Sequence, residues 1–136
     1  MVKLQNEQGF INISSDVFTT LTGDAATNCF GVKGMTVRSV TDGIVHLLKR
    51  EFMSKGVHVT YNNDDTISIE LHIAVDQGVN IPVVCEMIKD QVRYKVANGT
   101  GVDIKRIDIF VDTMLLGGYK PQRVVIILPV IKEGTA

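Results

Sequence analysis

A chain of 136 residues with 45% hydrophobic content has the size and apolar material of one ordinary globular domain, which excludes wholesale disorder. Its 14 Lys and Arg stand against 15 Asp and Glu, for a net charge of -1. That balance argues against a dedicated nucleic-acid binder and against electrostatic capture by an anionic membrane.

The first residues, MVKLQNEQGFINIS, lack the apolar run of a signal peptide. No stretch approaches the ~20 apolar residues needed to span a bilayer. The expectation is a cytoplasmic protein without direct membrane insertion. Gly9 to Ile13 reads as a short extended segment, followed by Ser14, Ser15 and Asp16, whose oxygens suit a helix start. Val17, Leu21 and Ala25 recur at i, i+4 and i+8, with Phe18 and Ala26 widening the stripe, and predict a helix over 15–29. Cys29 and Cys85 are far apart and sit beside apolar neighbours, which points to two free, buried thiols.

Residues 32–37 (VKGMTV) predict a strand with Gly34 as a bulge. Between Thr41 and Met53 the spacing of Ile44, Leu47 and Leu48 predicts a short helix capped by Thr41 or Asp42. A hairpin follows. Val57, Val59 and Tyr61 alternate with polar residues, as do Ile67, Ile69, Leu71, Ile73 and Val75, around the Asn62-Asn63-Asp64-Asp65 turn. Asn80 caps the next helix, with Pro82 in its first turn and a stripe of Val84, Ile88, Val92 and Val96; Asn98, Gly99 and Gly101 end it near residue 97. Ile107, Ile109 and Val111 then alternate along a strand over 106–112.

The fold expected is therefore α+β, a two-layer sandwich. A mainly antiparallel four-stranded sheet (32–37, 57–61, 66–75 and 106–112) carries the helices on one face. One domain covers 1–112 and a C-terminal extension covers 113–136. In that extension Gly117, Gly118 and Pro121 break the chain before the apolar run from Val124 to Ile131. Val124, Val125, Ile126, Ile127 and Leu128 either add a strand to the domain's own sheet or pair with the edge of another copy or a partner. Phe110, which points away from Ile109 and Val111, marks the surface such a strand would cover.

These residues do not form a set arranged for catalysis or for a cofactor. His58 and His72 share a face of the hairpin with Glu70 as the only further ligand by pattern. Two exposed histidines are expected there rather than a metal site. His46 reads as a solvated helix residue, and the Asn62–Asp65 run as a polar turn rather than a calcium loop, because the glycine and terminal glutamate of such a loop are missing. The β-β-α-β order also fits a KH-like RNA-binding module, although Gly31-Val32-Lys33-Gly34 enters a strand instead of joining two helices.

With those residues placed, the chain resembles the alkaline shock protein family of bacterial envelope-stress proteins. Three pieces carry the likeness: ISSDVFTTLTGDAATNCFGVKGM; GVHV followed by ISIELHIAVDQGVNIPVVCEMIKDQV; and TGVDIKRIDIFVDTM. The segment 40–53 and the tail after Met114 do not match. The resemblance implies a small, non-catalytic interaction or scaffold protein with protein partners, some of them membrane-anchored, and with self-association. It supplies no catalytic, metal or cofactor-binding residue.

Overall fold

The computed structural model describes residues 2–38 and 43–115, together with the backbone of 125–126. Strands β1 (Val2–Asn6) and β2 (Gly9–Ile13) form a separate antiparallel hairpin, followed by helix α1 (Ser15–Thr27) and strand β3 (Val32–Arg38). Strand β4 (Val45–Leu47), a 3-10 segment (Arg50–Gly56), β5 (Val57–Tyr61) and β6 (Ile67–Asp76) come next. Helix α2 (Ile81–Thr100), β7 (Ile104–Leu115) and β8 (Val125–Ile126) complete the order.

The class is α+β, as the alternation and helical stripes require, but the sheet is larger and more mixed than four antiparallel strands. Six strands join in the order β5-β6-β3-β4-β8, with β7 also pairing β6. The β6–β7 pair is parallel from Ile67↔Ile104 to Asp76↔Leu115. Parallel neighbours need a long crossover, and the 20 residues of α2 supply it. Alternation of apolar residues is the same in parallel and antiparallel strands, so the sequence pattern is silent on this direction.

Strand β6 is fully paired. β7 runs along one edge, so β5 (Val57↔Leu71 to Tyr61↔Ile67) and β3 (Val32↔Val75, Met35↔Ile73) share the other edge end to end. The β3 register shifts between Val32 and Gly34, the bulge expected there. Where β3 and β5 meet, Gly56 lies so close that a Cβ on it would sit 2.9 Å from the Thr36 carbonyl oxygen and 3.0 Å from Met35 Cβ.

On the helix side of β6, Ile67, Ile69, Leu71 and Ile73 are buried against Val84, Ile88, Val92 and Val96 of α2 and Phe18 of α1. The buried residues of α1 are Phe18, Thr22, Gly23, Ala25 and Ala26; Phe18, Ala25 and Ala26 belong to the expected stripe, whereas its Leu21 is half-buried and its Val17 exposed. Ser14 occupies the N-cap position without a side-chain capping bond. Asn80 does cap α2, accepting from the Val83 N–H, but the helix runs past Asn98 and Gly99 to a left-handed Gly101 at φ 74°. Lys95 Nζ reaches Asp24 Oδ2 at 2.7 Å and ties α2 to α1.

The short helix expected between Thr41 and Met53 is not formed. Its described part is strand β4 and the 3-10 segment, while Thr41 and Asp42 lie outside the described residues. Ile44, Leu47 and Leu48 mimic helical spacing, but pairing of Thr36↔Leu47 and Arg38↔Val45 satisfies the backbone as a strand, and Val45 is buried. β1 was not expected at all; it pairs the predicted extended segment Gly9–Ile13.

Replacing Gly56 with alanine forces β3 and β5 apart at their junction. It should destabilise the fold by about 1–3 kcal/mol, the usual cost of overpacking, as a lower urea midpoint with an unchanged far-UV spectrum at zero denaturant. An unchanged midpoint would contradict the close approach.

Candidate functional site

The sheet face opposite the helices carries the densest set of interacting polar groups among the described residues. Side chains two apart on a strand share a face, which places Glu70 and His72 of β6 together, with His58 of β5 paired directly opposite Glu70. The parallel register adds Phe110 beside His72 and, after an irregularity, Asp112. Thr36 and Arg38 arrive from β3 on the other flank.

His72 sits at the centre. Its Nδ1 lies 3.0 Å from Asp112 Oδ2 and its Nε2 lies 2.9 Å from Glu70 Oε2. The ring stacks on Phe110 with centroids 4.7 Å apart and meets His58 edge-on at 5.9 Å. Asp112 is the buried anchor, with a side chain only 2% exposed. It accepts hydrogen bonds from Thr36 Oγ1 at 2.9 Å and Arg38 Nη2 at 3.2 Å as well as facing His72. A buried carboxylate is tolerated only with such partners.

Burial alone would lower the His72 pKa, but hydrogen bonds to Asp112 and then Glu70 outweigh it and leave the imidazole above its ordinary value of 6.5. The imidazole is thus held between two carboxylates, with Arg38 on the far side of Asp112.

The expectation of two exposed histidines is corrected for His72, which is half-buried and doubly bonded; His58 is exposed. His58, Glu70 and His72 do come together, each offering a ligand atom within 4.8 Å of the others. His46 is half-buried on β4 rather than on a helix. Asp64 accepts from the Thr66 backbone N–H and hydroxyl, a polar turn as expected. Cys29 is buried, Cys85 half-buried, both are free, and burial pushes both thiols up.

Of the six residues expected to bind a partner, Phe110 belongs to this cluster. The backbone of Val125 and Ile126 pairs with His46 and Val45 of the same chain. Val124, Ile127 and Leu128, and the side chains of Val125 and Ile126, lie outside the described residues. Sequence reasoning missed Thr36, Arg38 and Asp112. The signal available was an aspartate on the polar phase of the last strand, but its partners lie 40 to 76 positions away.

A second surface is apolar. Phe30 (82% exposed), Val83 (55%) and Met87 (37%) border a cleft of about 540 Å³ floored by Val79 and Val84. Tyr94, 65% exposed, lies on the same outward side of α2, seven residues beyond Met87.

Titration of His72 by NMR should give a midpoint above 6.5, and a midpoint at or below that value would mean burial dominates. A pKa raised in the folded state adds stability that is complete below about pH 6.5 and is lost as pH rises through the folded value. Asp112→Ala should remove part of that dependence. It should also cost about 1–3 kcal/mol, because Thr36, Arg38 and His72 lose their shared acceptor; urea titrations across pH read both.

Residues 3–116 match the profile of the alkaline shock protein family, described as having cell envelope-related function. The chain is 31% identical over 111 residues to the uncharacterized protein YloU of Bacillus subtilis, covering 81% of this chain and 92% of that one. It is also 31% identical over 118 residues to an uncharacterized protein of Streptococcus pyogenes, covering 86% and 97%. A third relative, the uncharacterized protein YqhY of Bacillus subtilis, is 30% identical over 114 residues, covering 82% and 83%. No solved structure matches significantly. The extent of these matches, taking in both α-helices and strands β3 to β7, shows that the chain belongs to the alkaline shock protein family, whose function is cell envelope-related.

Proposed function

We propose that the protein is a non-catalytic interaction component of cell envelope-related processes and that it works by docking protein partners. The observation that carries this reading is the apolar surface formed by Phe30, Val83 and Met87 around their cleft, with Tyr94 exposed farther along the same side of α2. An amphipathic helix normally turns its apolar stripe inward and leaves polar residues outside. Helix α2 buries Val84, Ile88, Val92 and Val96 and still presents Val83, Met87 and Tyr94 outward, beside Phe30 from the turn after α1. Contiguous exposed apolar surface of this kind is characteristic of sites that bind other proteins.

Aromatic residues and methionine are enriched in interface cores, and the rim of this patch includes Gln91 and Lys95. No helix among the described residues is long and apolar enough to cross a membrane. The proposed route to the envelope is a protein partner, including a membrane-anchored one, with self-association a further arrangement available to the same surface.

The RNA-binding alternative has less support. The open sheet face mixes Arg38 and Arg106 with Glu70, Asp108 and Asp112, and each arginine is paired with an aspartate on that face. Gly31 to Gly34 leads directly into β3, so no loop between two helices is available there to clamp a phosphate backbone.

Affinity capture from membrane and cytosolic fractions, with light scattering on the purified protein, tests the proposal. Val83→Lys and Met87→Glu should each abolish specific capture or self-association without shifting the melting temperature, since both side chains are exposed. A protein that stays monomeric and captures nothing specific, or whose capture is indifferent to both changes, would refute it.

A further inference from the structure

We propose that His58, Glu70 and His72 form a binding site for a divalent transition-metal cation, with zinc as the representative ion. This goes beyond docking of protein partners and concerns the opposite face of the sheet from the helices.

The argument begins with the backbone. Adjacent antiparallel strands bring His58 and Glu70 into direct register, and His72 follows Glu70 on the same face two residues later. Three ligands thus project from two paired strands, one of which is paired along both edges. Sites on rigid elements hold their geometry better than sites on loops. The ligand atoms already lie within 4.8 Å of one another, and His72 Nε2 is 2.9 Å from Glu70 Oε2. Bonds to zinc of about 2.0–2.2 Å in tetrahedral array place neighbouring ligand atoms about 3.3 Å apart. The His72–Glu70 pair therefore needs to open by only a few tenths of an ångström. His58, whose side chain is exposed and whose ring already meets that of His72 edge-on with centroids 5.9 Å apart, supplies the rest by a turn of its ring.

A second observation distinguishes this cluster from a chance meeting of polar side chains. A metal-binding histidine characteristically donates its other ring N–H to a carboxylate, which fixes the tautomer and aims the free nitrogen. Asp112 stands in that position at His72 Nδ1, 3.0 Å away. It is itself held by Thr36 and Arg38 and is almost wholly buried. Phe110, stacked on the ring, keeps it from rotating out of the Asp112–Glu70 line. The cation would sit between His72 Nε2 and Glu70 Oε2, and any proton held there is released to solvent on binding.

Two imidazoles and one carboxylate suit zinc and its first-row neighbours better than calcium or magnesium, which prefer all-oxygen shells. Three protein ligands leave at least one coordination position for water or for a side chain from another molecule.

Isothermal titration of the chelator-treated full-length protein with zinc chloride at pH 7.5 tests the site. The expected result is saturable binding of one equivalent, weakened about 10-fold or more in both His58→Ala and Glu70→Gln, and not competed by excess magnesium. His58 is exposed, so its variant should keep the wild-type urea midpoint in the presence of EDTA. Glu70→Gln preserves the shape of its side chain and serves as the second probe. Absence of saturable zinc binding would overturn the proposal. So would undiminished binding in either variant, which would place the ion on other groups such as Cys85 or His46.

Discussion

Hydrogen bonding along both edges of β6 is the constraint on which the rest of the structure depends. A strand so paired leaves its side chains only two directions, and in β6 both are occupied. One direction meets α1 and α2 through Ile67, Ile69, Leu71 and Ile73. The other carries Glu70 and His72. Pairing on one edge is divided between β5 and β3, and the division works only because Gly56 lets their ends approach without a Cβ between them. Pairing on the other edge is parallel, which forces α2 to cross back over the sheet and so sets the helical layer. The core is then a consequence of strand pairing more than of any single helix propensity.

The two faces differ in what holds them. The helix face is stabilised by removal of apolar area from water, at roughly 25 cal/mol per Å², and tolerates modest changes of shape. The open face depends on one buried carboxylate. Asp112 draws Thr36 and Arg38 from β3 and His72 from β6 toward β7, so three strands are cross-linked by side chains as well as by backbone. More exposed pairs, such as Lys33–Asp76 or Lys105–Asp64, contribute little by comparison because water screens them. The apolar surface around Phe30 and Met87 lies on the helical layer, on the other side of the sheet from this polar cluster.

Much of this was legible from residue spacing. The hairpin, α2 with its Asn80 cap and the polar turn at Asn62–Asp65 follow from local periodicity and turn chemistry. The departures have physical causes. Ile44, Leu47 and Leu48 satisfy a helical spacing, yet β3 offers the backbone a partner and the strand wins. Helix α2 passes through Gly99 because it packs tightly on α1, where an added Cβ would stand 3.2 Å from Leu21 Cδ1, and the stop falls at Gly101 instead. The shared face of His58 and His72 could be read from period two. The role of Asp112 could not, since it requires the parallel register of β7 and a β3 residue from far earlier in the chain. Family membership was legible from the order of three segments, none of which is a strong motif alone.

Residue-resolved amide hydrogen exchange most directly tests whether β6 organises the molecule. The account predicts that amides of Ile69 to Val75 exchange only through global unfolding, at the slowest rates in the chain, while those of the two-stranded β1–β2 hairpin, most of whose residues are exposed, exchange orders of magnitude faster through local opening. Exchange of the β6 amides at rates comparable with the hairpin would contradict it.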